Sequence, residues 1–357
     1  MLKFIFYLIW FTNIILVIAK KRSKIISFFS FIISFVMFAG NNSNPDYVVY
    51  QWAYDQHNIE GFEPGFKFLV SIFQSLSLNY QEMLMVIQMI SLIMIWICIR
   101  NVTPNINAFW AIYFFAQQFI DIIQWRNYIA SVFLLCAIIL LYRDKRVLSL
   151  LFTIFASSFH ITFSIFVVFV LFDIIRKDSS KARIKNSYII VIGAIIVIYA
   201  IGYVINMFSG NGISSTMITQ ILGMDARYQS YSGSTRFGSI IPFIVYIFDT
   251  YTILWICKSK LQLDKKLTTI IVNLNLFVGL FTPLLLIDIN FYRIFRDVNI
   301  LNFVFLAYVL DKNKVIDKTY IEQITMFLLM GSLWKIMTIL QGAIIFSSIY
   351  DNNLWLK

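Results

Sequence analysis

The side chains in this sequence that could move a proton are Asp46, Glu63 and His160. Those that could hold a polyanion are Arg126, Arg293 and Arg296. A carboxylate or imidazole near a hydroxyl can act as a general base. Guanidinium groups present fixed forks of donors that match phosphate oxygens. Arg293 and Arg296 lie at i and i+3, so on a helix they would share a face. With Arg126 they could grip a pyrophosphate. Asp46 and Glu63 belong to a polar stretch, Asn41 to Phe66, which reads NNSNPDYVVYQWAYDQHNIEGFEPGF. This stretch also contains Tyr50, Trp52 and Tyr54, whose ring faces can stack on sugar C–H groups. Carboxylates beside aromatic rings are the usual furniture of a carbohydrate site.

Each residue also has a plainer role open to it. The aromatic residues could form an interfacial belt at a membrane edge. Asp46 follows Pro45 and could cap a helix. Glu63 opens Glu-Pro-Gly-Phe, a turn signal. Arg293 and Arg296 could pair with Asp288 or Asp297. His160 could be a hydrogen-bonded core residue, and His57 an exposed loop residue. The sequence has no P-loop, no GxGxxG before a strand, no HExxH and no CxxC. Cys98, Cys136 and Cys257 lie in or at the ends of apolar runs without paired spacing. Neither a disulfide framework nor a metal site is expected, and no cofactor.

The elements that must position these groups are membrane helices. The chain has 357 residues, 60% hydrophobic and 13% charged. A soluble domain is usually about a quarter charged, so this apolar surface calls for lipid. The expected fold is an all-α polytopic integral membrane protein with about ten to twelve transmembrane or re-entrant helices. Residues 1–357 should form a single transmembrane domain. Loops at 41–66 and 209–238 should lie outside, and a short membrane hairpin should fill 147–175. The net charge of +11 is explained by cytoplasmic loops facing anionic lipid rather than by nucleic acid.

The order of charges sets the expected topology. Helix one, Leu2–Ala19, ends at Lys20, Lys21, Arg22 and Lys24, a cytoplasmic edge. Helix two, Ile25–Gly40, rises to the acidic stretch. Phe66–Leu78 is too short to span easily and reads as an interfacial or re-entrant helix. Helix four is Asn107–Ile123, and helix five starts near Arg126 after a short external turn. Basic clusters flank Val147–Ile175 on both sides, so this segment should go in and return. The break is expected at Ser157-Ser158-Phe159-His160. One long tilted helix is the other possibility, and it would flip every later loop. Most of the 29 lysines and arginines then face the cytoplasm. Arg126, Arg227, Arg236, Arg293 and Arg296 are among the few that face outward.

Five motifs occur in order: NPDYVVYQWAYD, EPGFKFL, QWRNYIA, SSFHITFSIF and FYRIFRD. In this arrangement the chain resembles the EpsG-type branch of the O-antigen and exopolysaccharide repeat-unit polymerases, the Wzy class. The likeness runs from about Asp46 to Arg296. It implies an inner-membrane glycosyltransferase with the all-helical, GT-C-like architecture of lipid-linked-donor enzymes. It implies undecaprenyl-pyrophosphate-linked oligosaccharides as substrates and an active site on the periplasmic or outer face. Membrane lipid is the other implied partner, with a chain-length regulator protein beside it. Functional roles carry over to Asp46, Glu63, Arg126, His160, Arg293 and Arg296 only. Asp46 or Glu63 would be the base, with His160 as base or phosphate ligand. Arg126, Arg293 and Arg296 would stabilise the leaving pyrophosphate. Tyr50, Trp52 and Tyr54 would form the sugar platform, with Arg227 and Arg236 as further sugar-binding residues. Two rivals stand beside this: a flippase or exporter of lipid-linked glycans without bond chemistry, and an acyltransferase using His160. A translocator should show inverted repeats or broken helices in matching halves, and neither is evident.

Overall fold

A computed structural model describes residues 1–56, 59–175, 187–208, 239–257, 261–286, 289–313, 315–342, 349 and 353–355. Sixteen α-helices are named here in chain order among the described residues. They are α1 (Leu2–Ile18), α2 (Lys24–Ala39), α3 (Pro45–Asp55), α4 (Pro64–Ser75), α5 (Tyr80–Val102), α6 (Ile106–Ala116), α7 (Gln118–Ile123) and α8 (Trp125–Tyr142). Then follow α9 (Arg146–Phe159), α10 (Ser164–Ile175), α11 (Ser187–Phe208), α12 (Ile240–Cys257), α13 (Lys265–Gly279), α14 (Arg293–Arg296), α15 (Asn299–Lys312) and α16 (Lys318–Gly342). Tyr80–Val102, Trp125–Tyr142, Ile240–Cys257 and Lys265–Leu286 are long and apolar enough to cross a membrane. Further apolar helices of 10–17 residues include α1, α2 and α9. Large apolar side chains such as Phe4, Phe28 and Phe155 lie on outer faces. In a chain this apolar, such faces meet lipid. The protein is an all-helical polytopic membrane protein.

The chain forms two compact units: Met1–Arg176 with Lys260–Leu263 and Ile300–Lys357, and Lys177–Ser259 with Asp264–Asn299. In the first unit α6 packs against α1, α2, α5 and α16. Small polar groups stitch these helices together. Asn13 Nδ2 donates to Ser30 Oγ at 2.8 Å, and Asn107 Nδ2 donates to Asn13 Oδ1 at 2.9 Å. Asn107 Oδ1 accepts the Ser23 N–H at 2.9 Å. Between apolar helices such hydrogen bonds fix register, because lipid offers no alternative partner.

Residues 41–66, expected as a loop, hold α3 and the start of α4. The reason is local. Asn44 accepts the Tyr47 N–H at 2.8 Å, Pro45 is the first helical residue, and Asp46 sits in the first turn. This is an N-cap followed by a proline at N1. The cap is therefore Asn44, not Asp46. Helix four, expected unbroken over Asn107–Ile123, breaks at Gln117 into α6 and α7. Only Gln124 then separates α7 from α8. Gln117 has φ −131° and Gln124 has ψ 54°, both outside helical values. The amides of Asp121, Gln124 and Tyr128 keep carbonyl partners across these breaks, so the path bends without stranding backbone groups.

Far along the chain, Asn353 returns to the end of α2. It forms a bridge with Asn41, its Nδ2 donates to Val36 O at 2.9 Å, and Leu354 N–H donates to Gly40 O at 2.9 Å. Gly40 has no room for a Cβ there, since one would lie 2.5 Å from the Asn353 amide. In the second unit α12 packs on α13, and Tyr246 donates to Asn275 O at 3.0 Å.

Candidate functional site

The first unit brings Arg126, Glu63 and Tyr50 together. Arg126 is the second residue of α8, just past the break at Gln124, and it is 9% exposed. Glu63 occupies the N-cap position of α4 but makes no side-chain cap bond. Its carboxylate instead accepts from Arg126 Nη2. Arg126 Nη1 lies 3.5 Å from the Tyr50 hydroxyl, and Nη2 lies 3.5 Å from Phe159 O. The guanidinium stands 5.2 Å from the ring centre of Tyr50, 4.9 Å from Phe62 and 5.3 Å from Phe66. Ring faces attract a cation, and more strongly where water is thin. Nε has no hydrogen-bond partner among the described residues. A guanidinium carries five N–H donors, so the cage fixes this one while leaving donors over.

The rings are themselves packed. Tyr50 meets Phe62, Phe66 and Trp125 at 5.7 to 5.8 Å. Trp125 Nε1 donates to Tyr80 OH at 3.0 Å. Asp46 lies one helical turn before Tyr50, so both share a face of α3. Tyr54 shares that face but is buried, and its hydroxyl donates to Leu78 O at 2.5 Å. Trp52 points the other way and is 55% exposed. Tyr50, Trp52 and Tyr54 therefore do not form one platform. A residue spacing of two keeps side chains on one face of a strand but sends them to opposite faces of a helix.

His160 ends α9 with extended backbone, φ −151° and ψ 122°. Its Nδ1 lies 2.8 Å from Thr162 Oγ1. The helix breaks here and α10 turns back to pack against α9. The preceding carbonyl, Phe159 O, is the one facing Arg126. α4 reaches this corner because Gly65 lies flat against Ser158. A Cβ at Gly65 would sit 2.5 Å from Ser158 Oγ and 2.7 Å from its carbonyl oxygen. Gly65→Ala should therefore push α4 away and destabilise the protein by about 1–3 kcal/mol. A purified variant with an unchanged melting temperature would refute that close fit.

Arg293 and Arg296 lie in the second unit, within the single turn of α14. Arg296 is 1% exposed and donates through Nη1 to Tyr292 OH at 3.2 Å. Arg293 Nε has no hydrogen-bond partner among the described residues. Arg227, Arg236, His57 and Asp288 lie outside the described residues. Among the described residues no three His, Cys, Asp or Glu side chains cluster as metal ligands would.

Two features were missed in the sequence. Phe62, Phe66 and Trp125 have no assigned role in the sequence, and nothing in their spacing marks them as a cage. Asp121 was also passed over. It is fully buried, accepting from Tyr113 OH at 3.0 Å and Gln117 Nε2 at 3.3 Å. A carboxylate inside an apolar run is a signal in its own right, and QQFIDIIQ contains one.

A model of the EpsG family matches residues 24–348 of the chain. That span includes Asp46, Glu63, Arg126, His160, Arg293 and Arg296. No curated protein matches the chain, and no solved structure does.

Proposed function

We propose a mechanism from one premise: this chain belongs to the EpsG family, a Wzy-like polymerase family. Its general role is that of a polysaccharide repeat-unit polymerase in a membrane. In our reading the donor is a growing glycan on undecaprenyl pyrophosphate, and the acceptor is a hydroxyl of a second lipid-linked unit. The reaction takes place on the periplasmic or outer face of the inner membrane. The acceptor oxygen attacks the anomeric carbon, the bond to the pyrophosphate breaks, and configuration inverts. A base takes the hydroxyl proton, and positive charge receives the departing pyrophosphate.

The observation that carries this reading is the caged guanidinium of Arg126. It is charged, nearly buried, and held from several sides before any substrate arrives. Preorganised charge of this kind acts without reorganising during the reaction. Glu63 is the residue that holds it, which leaves Asp46 on the Tyr50 face as the better base. His160 is the other base or a phosphate ligand. Arg293 and Arg296 are assigned to pyrophosphate binding, and Tyr50 to a sugar ring.

Surface glycan from a strain lacking this protein tests the reading. Long chains should vanish while single repeat units persist. Retention of long chains would overturn it. One observation favours a second reading. The breaks at Gln117 and Gln124 resemble the interrupted helices of transporters. If the protein is a translocator, the strain lacking it should instead accumulate lipid-linked units on the inner leaflet.

A further inference from the structure

The turn after α1 borders a cavity that this chemistry does not use. α1 closes with Lys21 N–H donating to Leu16 O at 2.8 Å and Lys20 N–H donating to Val17 O at 3.0 Å. Lys20 takes the left-handed conformation that ends such a helix, with φ 52°. Glycine is the usual residue there, because a side chain is crowded in that conformation. The Lys20 ammonium stands 5.0 Å from the ring centre of Tyr320. It is shielded from water and has no hydrogen-bond partner among the described residues. An ammonium has three donors to satisfy, and shielding it without acceptors is costly. Burial holds its pKa below the ordinary lysine value, against the pull of Asp317 and Asp311. Both carboxylates are already engaged. Asp317 Oδ1 accepts the Tyr320 N–H at 2.8 Å, and Asp311 pairs with Arg22.

Beside these groups lies a cavity of about 280 Å³, lined by Lys20, Arg22, Asn105, Leu310, Asp311 and Asn313. That is near the lower end of ligand pockets, roughly 300–1,000 Å³. Asn105 spends its side-chain oxygen on the Ala108 N–H at 3.3 Å, so its N–H groups are what it can offer a ligand. A point charge, a guanidinium and an amide together suit an anion with several oxygens. Basic pockets at the ends of membrane helices commonly take headgroups. We propose that this cavity binds a phosphate group, from an anionic phospholipid or from free phosphate. Lys20 is the principal donor, with Arg22 and Asn105 beside it.

The test uses the full chain, purified into nanodiscs of phosphatidylcholine. Phosphatidylglycerol and inorganic phosphate are then added separately, with thermal stability and native mass spectrometry as readouts. At least one should bind and raise the melting temperature. Lys20→Met should weaken that binding about ten- to a hundredfold, the worth of a charged hydrogen bond. Lys20→Gly suits the backbone better, so it should fold at least as well and still lose the ligand. Lys24→Met, at an exposed neighbour, should change nothing. Binding of phosphatidylglycerol alone identifies a lipid site, and equal binding of phosphate identifies a soluble ligand. If neither binds, or if both Lys20 variants bind like the native protein, the proposal fails.

Discussion

Arg126→Lys should leave the protein in the membrane and cut the yield of long glycan about a hundred- to a thousandfold. The charge is kept, but the fork is not. A lysine ammonium cannot meet Glu63 and Tyr50 while presenting a second edge to a phosphate, as the guanidinium does. Loss of one preorganised donor at a developing charge costs about that factor. The measurement is glycan length on gels from cells expressing the variant, with protein level checked by immunoblot. Native chain lengths from Arg126→Lys would remove the pyrophosphate role. If Arg293→Lys shows the same loss and Arg126→Lys does not, the charge that matters lies in α14 alone.

Asp46→Asn should cap cells at single repeat units, with a rate loss of about a hundred- to ten-thousandfold. The amide keeps the shape and cannot take the proton. Little stability should be lost, because Asp46 is only half-buried in the first turn of α3 and Asn44 provides the cap. Glu63→Gln should behave differently. It removes the counter-charge from a nearly buried guanidinium, at a cost of up to about 3 kcal/mol. Arg126 would then shift within its cage, so chains should shorten and the variant should melt earlier. With purified enzyme and a lipid-linked donor, excess substrate should restore part of the Glu63→Gln rate and none of the Asp46→Asn rate. The reverse pattern would make Glu63 the base. Long chains from the double variant would exclude both acids.

Much of this site was legible because membrane sequences advertise it. Carboxylates and arginines are expensive near lipid, so Glu63 and Arg126 stood out against their apolar surroundings. The helix break at His160 was readable from the basic clusters flanking residues 147–175. The pairing of Glu63 with Arg126 was not readable. It depends on Gly65 lying against Ser158, a contact between α4 and α9 that no local pattern encodes. The breaks at Gln117 and Gln124 were hidden for a similar reason. Glutamine is a good helix former, so only its surroundings can bend the chain there. The helix α3 was misread as loop because Asn44-Pro45 signals a turn as readily as a helix start. Cys98 and Cys136, which show no paired spacing, lie with their sulfurs 3.3 Å apart on α5 and α8.

The clasp of Asn353 and Leu354 on Val36 and Gly40 has a consequence for biogenesis. A ribosome makes residues 36–41 long before residues 353–355, at roughly 5–20 residues per second. The lead into α3 therefore waits tens of seconds for its last hydrogen bonds. Until then the turn before Asp46 is held only by its own cap and neighbours. Membrane insertion of α1 and α2 can finish early, whereas the acid-bearing corner matures only after synthesis has passed residue 355. A bulky tag fused close behind Trp355 would be felt at Asp46, at the opposite end of the sequence.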